Sequence, residues 1–203
     1  MAIPTSDMPG HRALHERVVR ALQTCVESQS VEFKQSAAWR DLESKIIRTA
    51  LAMANLRDGG IIIVGVGEND DRWSLEGIAD EHLITYDADD VADAIHRFAS
   101  PAVSAILVLV PYDDRRYLAI EVFEFTDTPI VCLRDGIDLR QGAVYVRPAG
   151  MARTTEVRSA DEMHDLLQLA AEKRARAMLE TARRIGLEAP AARKPFDEEL
   201  GGL

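Results

Sequence analysis

Apolar side chains recur along the N-terminal part of the chain with two different periods, which predict two kinds of element. Over residues 11–26 they return every four positions and predict an amphipathic helix. The apolar residues of this helix are Leu14, Val18, Leu22 and Val26. Over residues 31–35 apolar and charged residues alternate, so we expect a short strand that carries Glu32 and Lys34 on its polar face.

A second helix and a second strand follow in close succession. Residues 41–54 place apolar side chains on one side of a helix, with Asp41 as the expected N-cap, and Asp58 with the two glycines after it ends the helix. Residues 61–66 form a continuous β-branched run of the kind that is buried on both faces in the middle of a sheet. The end of such a strand is a good place for a site, and a glycine- and acid-rich stretch, residues 67–72, follows it.

The next part of the chain predicts a short helix that Pro101 ends, then a hairpin and two further strands. The hairpin pairs residues 105–112 with residues 116–125 across a polar turn. Residues 130–133 and 143–147 have the composition of strands. These elements together predict an α/β (α+β) fold, with a mixed or antiparallel sheet of about six strands flanked by helices.

A long C-terminal helix completes the predicted fold. It begins at a capping box, Ser159 with Glu162, and continues to about residue 185. The apolar side is predicted to hold Met163, Leu167, Ala170, Met178, Ala182 and Ile185. A helix of this length spans roughly 39 Å, which is long for one small domain to cover. We therefore predict that its second half packs on another copy or on a partner protein, with packing on its own sheet as the alternative.

These patterns divide the chain into four segments. Residues 11–158 are predicted to form one domain, which is a normal size for a single core. Residues 159–186 form the C-terminal helix, a candidate oligomerisation element. Residues 1–10 and 187–203 are predicted to be flexible tails.

Composition and charge limit the compartment and the partners. The apolar runs are far shorter than the roughly 20 residues of a membrane-spanning helix, so no membrane partner is expected. The two cysteines lack metal-ligand spacing and the N-terminus lacks a signal-peptide pattern, which together indicate a reducing, cytoplasmic location. The net charge of -10 excludes a long nonspecific nucleic-acid coat but permits a local basic face.

Basic residues in the C-terminal strands and loops are candidates for phosphate contacts. They are Arg134, Arg140, Arg147, Arg153 and Arg158, and Lys34 joins them from the first strand. Aromatic residues make up only 5% of the chain, which argues against a base-stacking platform, so backbone contacts should dominate. The alternative is that these arginines are ordinary solvated charges.

Two acidic residues flank the link between the first helix and the first strand. Glu27 lies near the end of the helix and Glu32 lies in the strand, so both carboxylates can reach one edge of the sheet. Paired carboxylates suit Mg²⁺ or Mn²⁺, and Lys34 on the same strand face can stabilise a phosphate or a developing negative charge, as in nucleases. The alternative is that these are surface charges that contribute little to stability. If the second strand lies beside the first, Glu68, Asp70 or Asp71 could complete the site.

Several separated segments resemble, in order, the signature segments of the Schlafen-type AlbA domain. They are ESQSVEFKQS, KIIRTALAMAN, GGIIIVGVGEN with EGI, and VYVRPAG. The resemblance covers about residues 26–167 and implies a nucleic-acid-binding fold. In Schlafen proteins that fold cuts transfer and ribosomal RNA with the help of a metal, and in many bacterial relatives it is a DNA-binding or regulatory module.

The resemblance also implies positions for the catalytic acids. By position they fall on Glu27 and Glu32, with the third acid near Glu68 and Asp70 as its competitor, which makes Mg²⁺ or Mn²⁺ the implied cofactor. The first hypothesis is therefore a metal-dependent endoribonuclease on structured RNA such as tRNA, with RNA favoured over DNA. The second is a non-catalytic DNA- or RNA-binding or regulatory module, and the third is a protein-interaction adaptor, which explains the net charge best.

Overall fold

The computed structural model describes residues 3–6, 10–69 and 72–186. Its central feature is a four-stranded mixed sheet in the order β1-β2-β7-β6. The sheet strands are β1 (Val31–Lys34), β2 (Gly60–Val64), β6 (Ala105–Tyr112) and β7 (Arg115–Val122). β1 runs parallel to β2, while β7 is antiparallel to both β2 and β6. The predicted α/β fold is confirmed, but the main sheet has four strands rather than about six.

Helices cover both faces of this sheet. One face packs against α2 (Trp39–Ala54) and α4 (Ala88–Phe98), and the other packs against α1 (Arg12–Thr24). The alternation of β2 separates the two cores, because Ile62 and Val64 belong to the first and Ile61 and Ile63 to the second. The predicted burial of this strand on both faces is therefore confirmed.

The remaining strands, among the described residues, form three two-stranded sheets. β3 (Val66–Asn69) pairs with β4 (Arg72–Leu75), directly after β2. β5 (Ala99–Ser100) pairs with β8 (Val131–Cys132), and β9 (Tyr145–Val146) pairs with β10 (Thr155–Glu156). A short helix, α3 (Asp80–Leu83), links β4 to α4. These small sheets account for the strands that the sequence assigned to the main sheet.

Both N-terminal helices differ from the prediction at one end. Cys25 ends α1 in the left-handed region with φ 46°, so the chain turns away and Val26 is 61% exposed instead of packing with Leu22. α2 begins at Trp39 after Ala38, so Asp41 lies in the first turn rather than at the N-cap. An acidic residue in the first turn still stabilises the helix through its dipole.

Residues 3–6 extend the main sheet beyond β6. Thr5 bridges Leu109 in parallel, the Ser6 amide donates to the Leu109 carbonyl at 3.0 Å, and the Leu109 amide donates to the Pro4 carbonyl at 2.9 Å. The prediction that the whole of residues 1–10 is a flexible tail is wrong for these four residues. They protect a strand edge that would otherwise expose unpaired backbone groups.

The C-terminal helix, α5 (Ala160–Arg184), begins at the predicted cap. The Ser159 hydroxyl accepts from the Glu162 amide at 3.1 Å, and the Glu162 carboxylate accepts from the Arg158 amide at 2.7 Å. Its buried residues are Leu166 and Leu169, whereas the predicted Leu167 is exposed. No helix in the described residues is long and apolar enough to cross a membrane. The predicted tail at 187–203 lies outside the described residues.

Candidate functional site

The Glu32 carboxylate lies between two cationic side chains. Its Oε1 accepts from Lys34 Nζ, and its Oε2 accepts from Arg147 Nη1 at 2.7 Å. Register places Glu32 opposite Ile62 and Lys34 opposite Val64, so this pair lies on the α2 side of the sheet. Glu32 and Lys34 are therefore neighbours, as predicted, and a third charge, Arg147, joins them from a distant part of the sequence.

Arg147 is a buried structural residue, with 2% of its surface exposed. Its Nη2 donates to the carbonyls of Ser28 and Ala152, each at 2.8 Å, while its own carbonyl accepts from Gln29 Nε2 at 2.6 Å. These contacts tie the loop after β9 to the link that precedes β1. The prediction of Arg147 as a phosphate contact is wrong, because the side chain is buried and both of its terminal nitrogens, Nη1 and Nη2, donate inside the domain.

Glu27 lies in the link between α1 and β1 and is half-buried. Its Oε1 accepts from the Phe33 amide at 2.8 Å, so the carboxylate occupies a backbone donor of β1. Burial raises the pKa of Glu27 from its ordinary value of 4.5, and the negative charge of Glu32 adds to the increase. The Phe33 amide, Lys34 and Arg147 oppose that shift of the pKa, so the carboxyl is held among compensating interactions.

The raised pKa of Glu27 predicts a pH-dependent contribution to stability. A folded state with a raised carboxyl pKa binds its proton more tightly than the unfolded state, so this contribution is lost as pH rises above 4.5 and through the folded pKa. Glu27→Gln keeps an acceptor for the Phe33 amide but cannot ionise. We expect the free energy of unfolding of Glu27→Gln to gain on that of the wild type as pH rises from mildly acidic to neutral. Urea titrations at several pH values measure this difference, and a difference that does not change with pH would contradict it.

The third predicted acid is not joined to this pair in the described structure. Glu68 lies on β3, opposite Trp73 of β4, and is exposed. Its competitor Asp70, and Asp71, lie outside the described residues. Among the residues that are described, no group of three or more histidine, cysteine, aspartate or glutamate side chains comes together in a way that could hold a metal ion. The described donors do not fit Mg²⁺ or Mn²⁺ on their own, because each oxygen of Glu32 is already bound to a cation.

A cleft of about 220 Å³ opens beside Glu32. Four cationic side chains line it, and they come from three elements: Lys34 of β1, Lys45 and Arg48 of α2, and Arg153 of the loop after β9. Arg48 Nε and Thr154 Oγ1 are buried with no hydrogen-bond partner among the described residues. Donors without partners beside several positive charges suit an anion.

Sequence reasoning missed the contribution of α2 to this cleft. Lys45 and Arg48 are three residues apart, so they lie on the same side of the helix, and both belong to the segment KIIRTALAMAN. That spacing was a signal that could have placed them together. Asp138 also lines the cleft and offsets part of its positive charge.

The other predicted phosphate contacts are exposed but differ in how they are held. Arg140 forms a two-pronged ion pair with Glu156, at 2.5 and 3.2 Å. The Arg134 guanidinium lies over the Phe98 ring, 5.9 Å from its centroid. Of this group, Arg153 lines the cleft, whereas Arg134, Arg140 and Arg158 are not among its lining residues.

The segment that contains Glu27, Glu32, β1, β2 and α2 matches the model of a known protein family. The Schlafen AlbA_2 family model matches residues 27–155, which is well over half of the chain. The chain belongs to the Schlafen AlbA_2 family. Family membership supports a nucleic-acid-binding domain, and the matched segment contains Glu27, Glu32 and every cationic residue of the cleft. Among curated proteins no match is found.

Two solved structures resemble this Schlafen AlbA_2 chain. The crystal structure of the DIP2311 protein from Corynebacterium diphtheriae is 20% identical, with a TM-score of 0.47, and the similarity covers 73% of this chain and 27% of that one. A solution structure from Nitrosomonas europaea is 21% identical, with a TM-score of 0.45, and covers 72% of this chain and 95% of that one. It is the N-terminal domain of a protein named as related to the ATP-dependent DNA helicase RecG. This chain therefore spans about a quarter of the first structure.

Proposed function

We propose that this Schlafen AlbA_2 chain binds nucleic acid by holding backbone phosphate in the cleft beside Glu32. The observation that carries the proposal is the convergence of four cationic side chains on one cleft in a chain of net charge -10. Attraction of a polyanion depends on the field at the binding surface rather than on the total charge. Family membership supports the same function.

The charges around Glu32 favour phosphate. Lys34 and Arg147 together outweigh the carboxylate, and Lys45, Arg48 and Arg153 add positive charge against the single carboxylate of Asp138. Few aromatic side chains are available for base stacking, so contacts to the backbone should dominate. Binding should therefore vary little with base sequence. We propose RNA rather than DNA as the ligand, because the family resemblance points to structured RNA.

The direct test is fluorescence anisotropy with labelled tRNA, single-stranded DNA and duplex DNA, in EDTA to prevent cutting. We expect binding to all three, tightest to tRNA, with affinities that fall steeply as salt concentration rises because bound phosphates release counterions. Absence of binding at low salt would overturn the proposal and leave a protein-interaction adaptor as the better hypothesis. Equal affinity for tRNA and duplex DNA would overturn only the preference for RNA.

A second candidate is metal-dependent cleavage of structured RNA. It is favoured by Glu32, which lines the cleft, and by Glu27, which is close enough to interact electrostatically with Glu32; both lie at the positions of the family motif. We expect cleavage of tRNA with Mn²⁺ and none with EDTA. Because Glu27 and Glu32 do not hold the metal on their own, cleavage would need a further ligand, for which Glu68 is the described candidate; Glu68→Gln should then abolish it, and this exposed position permits the change without disturbing the Glu32 ion pairs. Full activity of Glu68→Gln would remove Glu68 from the mechanism, and a wild type that cuts no substrate would leave binding alone as the function.

Glu32→Gln is a less specific test of cleavage, because it lowers the stability of the domain as well as removing a carboxylate. Glutamine presents an NH₂ group to either Lys34 or Arg147, both of which are donors. One donor then loses its acceptor, which costs about 1–3 kcal/mol when the group is buried. The activity of this variant is informative only beside its measured free energy of unfolding.

The proposal also includes a location and a protein partner. Cys25 and Cys132 are free thiols, which supports a reducing, cytoplasmic environment. The proposed protein partner is a second copy of the chain, bound through the second half of α5.

A further inference from the structure

The two halves of α5 have different surroundings. The first half packs on the domain through Leu166 and Leu169, and Lys173 ends this contact. Lys173 Nζ donates to the Phe125 carbonyl and contacts Glu124 Oε2, both at 2.6 Å, with its side chain only 10% exposed. Beyond it, residues 174–186 are all exposed except Ala182, which is half-buried. The second half is therefore an arm that lies largely free of the domain.

A regular apolar seam begins at Ala171, just before this arm, and continues along it. Its members follow one another at spacings of four, three, four and three residues, which is the repeat of a coiled-coil seam. The seam residues are Ala171, Ala175, Met178, Ala182 and Ile185. Met178 and Ile185 are 63% and 65% exposed, and both line an open groove of about 370 Å³.

The seam lies on the opposite side of the helix from Leu169 and Lys173, the residues that contact the domain. Nine residues of α-helix make about two and a half turns, which brings a side chain to the opposite side of the helix. Met178 lies nine residues after the buried Leu169, and Ala182 lies nine residues after Lys173. The contacts that hold the first half of α5 therefore do not extend to the seam, although Asp127 of the domain lines the groove beside Met178 and Ile185 and leaves both side chains exposed.

A helical arm of this length needs another surface to pack against if it is to be stable. Isolated helices shorter than about 12–15 residues are marginal in water, and helices in proteins are stabilised mainly by packing of their apolar face. Read in the opposite direction, the seam matches itself at its centre and at both ends, and its intermediate members are offset by one residue. Ala171 falls level with Ile185, Ala175 with Thr181, next to Ala182, and Met178 with Met178, so small side chains meet large ones or each other.

We infer that two copies of this chain associate through an antiparallel pair of α5 arms, with Met178 at the two-fold axis. The charges outside the seam agree with this direction, because Arg176 of one copy falls level with Glu180 of the other. A parallel pair would instead place the Arg183 and Arg184 of both copies side by side. This inference is independent of the proposed nucleic-acid function.

Light scattering over a range of protein concentrations tests the association. We expect the wild type to approach twice the monomer mass of 22.5 kDa at high concentration and to dissociate on dilution. Met178→Asp should remain a monomer throughout, because it places a charge on each side of the axis. Ala177→Asp is the matched control: it adds the same charge at the preceding residue, which is exposed and lines the same groove but does not belong to the seam, and it should still associate. A wild type that is monomeric at every concentration would refute the inference.

Disulfide cross-linking tests the direction of the pair, with Cys25→Ser to remove the more accessible native thiol. Met178→Cys should cross-link to itself in the dimer. Ala171→Cys should not, because in an antiparallel pair its two copies lie about 21 Å apart at 1.5 Å per residue. A mixture of Ala171→Cys and Ile185→Cys chains should cross-link to each other. Efficient cross-linking of Ala171→Cys to itself would overturn the antiparallel arrangement, and tRNA affinity measured on the same variants reports separately on nucleic-acid binding.

Discussion

Replacing Arg147 by methionine should lower the free energy of unfolding by about 3–5 kcal/mol, because it removes one partner of a buried ion pair. The guanidinium compensates Glu32 and donates to the carbonyls of Ser28 and Ala152, and methionine of similar length supplies none of these donors. The carbonyls would then lose partners in a region where water does not replace them. Urea denaturation followed by circular dichroism measures the loss.

Arg153→Met is the control for this experiment. Arg153 lies in the same loop but is exposed, so the same substitution should change stability by less than about 1 kcal/mol. Equal losses for the two variants would show that Arg147 has no special structural role. Because Arg147 holds the carbonyl of Ala152, its replacement should also displace the neighbouring Arg153 from the cleft, so nucleic-acid affinity should fall even at temperatures where the variant is folded.

The burial of Arg147 shows where sequence reasoning stops. An arginine that follows a short strand and precedes a proline is normally exposed. Its partners include backbone carbonyls of Ser28 and Ala152, and no side-chain pattern reveals which carbonyls lack a donor. Glu32 can be recognised in the sequence as a charged residue, but it lies 115 residues from Arg147. A single sequence contains no signal that these two positions are in contact.

Periodicity predicted the framework around the site well. The β-branched run of β2 and the alternation of β1 were sufficient to expect two neighbouring strands with Glu32 and Lys34 on one face, and the parallel register confirms this. These patterns succeed because burial on one or both faces of a sheet directly constrains residue type. The same reasoning could not place Lys45 and Arg48 over Glu32, since the packing of α2 on the sheet determines that distance.

The long C-terminal helix illustrates an ambiguity of the same method. It carries two apolar stripes on opposite sides, one with Leu166 and Leu169 and the other with Met178 and Ile185. The predicted face included Met178 and Ile185 of the second stripe but neither Leu166 nor Leu169, because a helix of 25 residues offers several stripes of similar quality. Only contact with the domain distinguishes them, and it shows that the stripe closest to the domain ends at Lys173.

The second large effect is expected from reversing charge in the cleft. Lys45→Glu combined with Arg153→Glu should weaken binding to labelled tRNA on the order of a hundredfold at low salt, because two phosphate contacts are lost. The slope of log affinity against log salt concentration should become shallower by about two, one for each contact. Both residues are exposed, so the double variant should fold with a stability change of about 1 kcal/mol or less per charge. Competition with unlabelled RNAs of different sequence should show the same loss for each, since phosphate contacts carry no base information.

A control with the same change in net charge separates a local contact from a general effect of charge. Arg12→Glu combined with Arg20→Glu makes an equal change on α1, which covers the face of the sheet opposite to α2. Charge reversal at that distance acts only through the screened field, which decays over roughly 10 Å at moderate salt. We therefore expect a small loss of affinity and an unchanged salt slope for the α1 variant. If both double variants lose affinity equally, the chain binds RNA through its overall field and the cleft beside Glu32 is not the phosphate site.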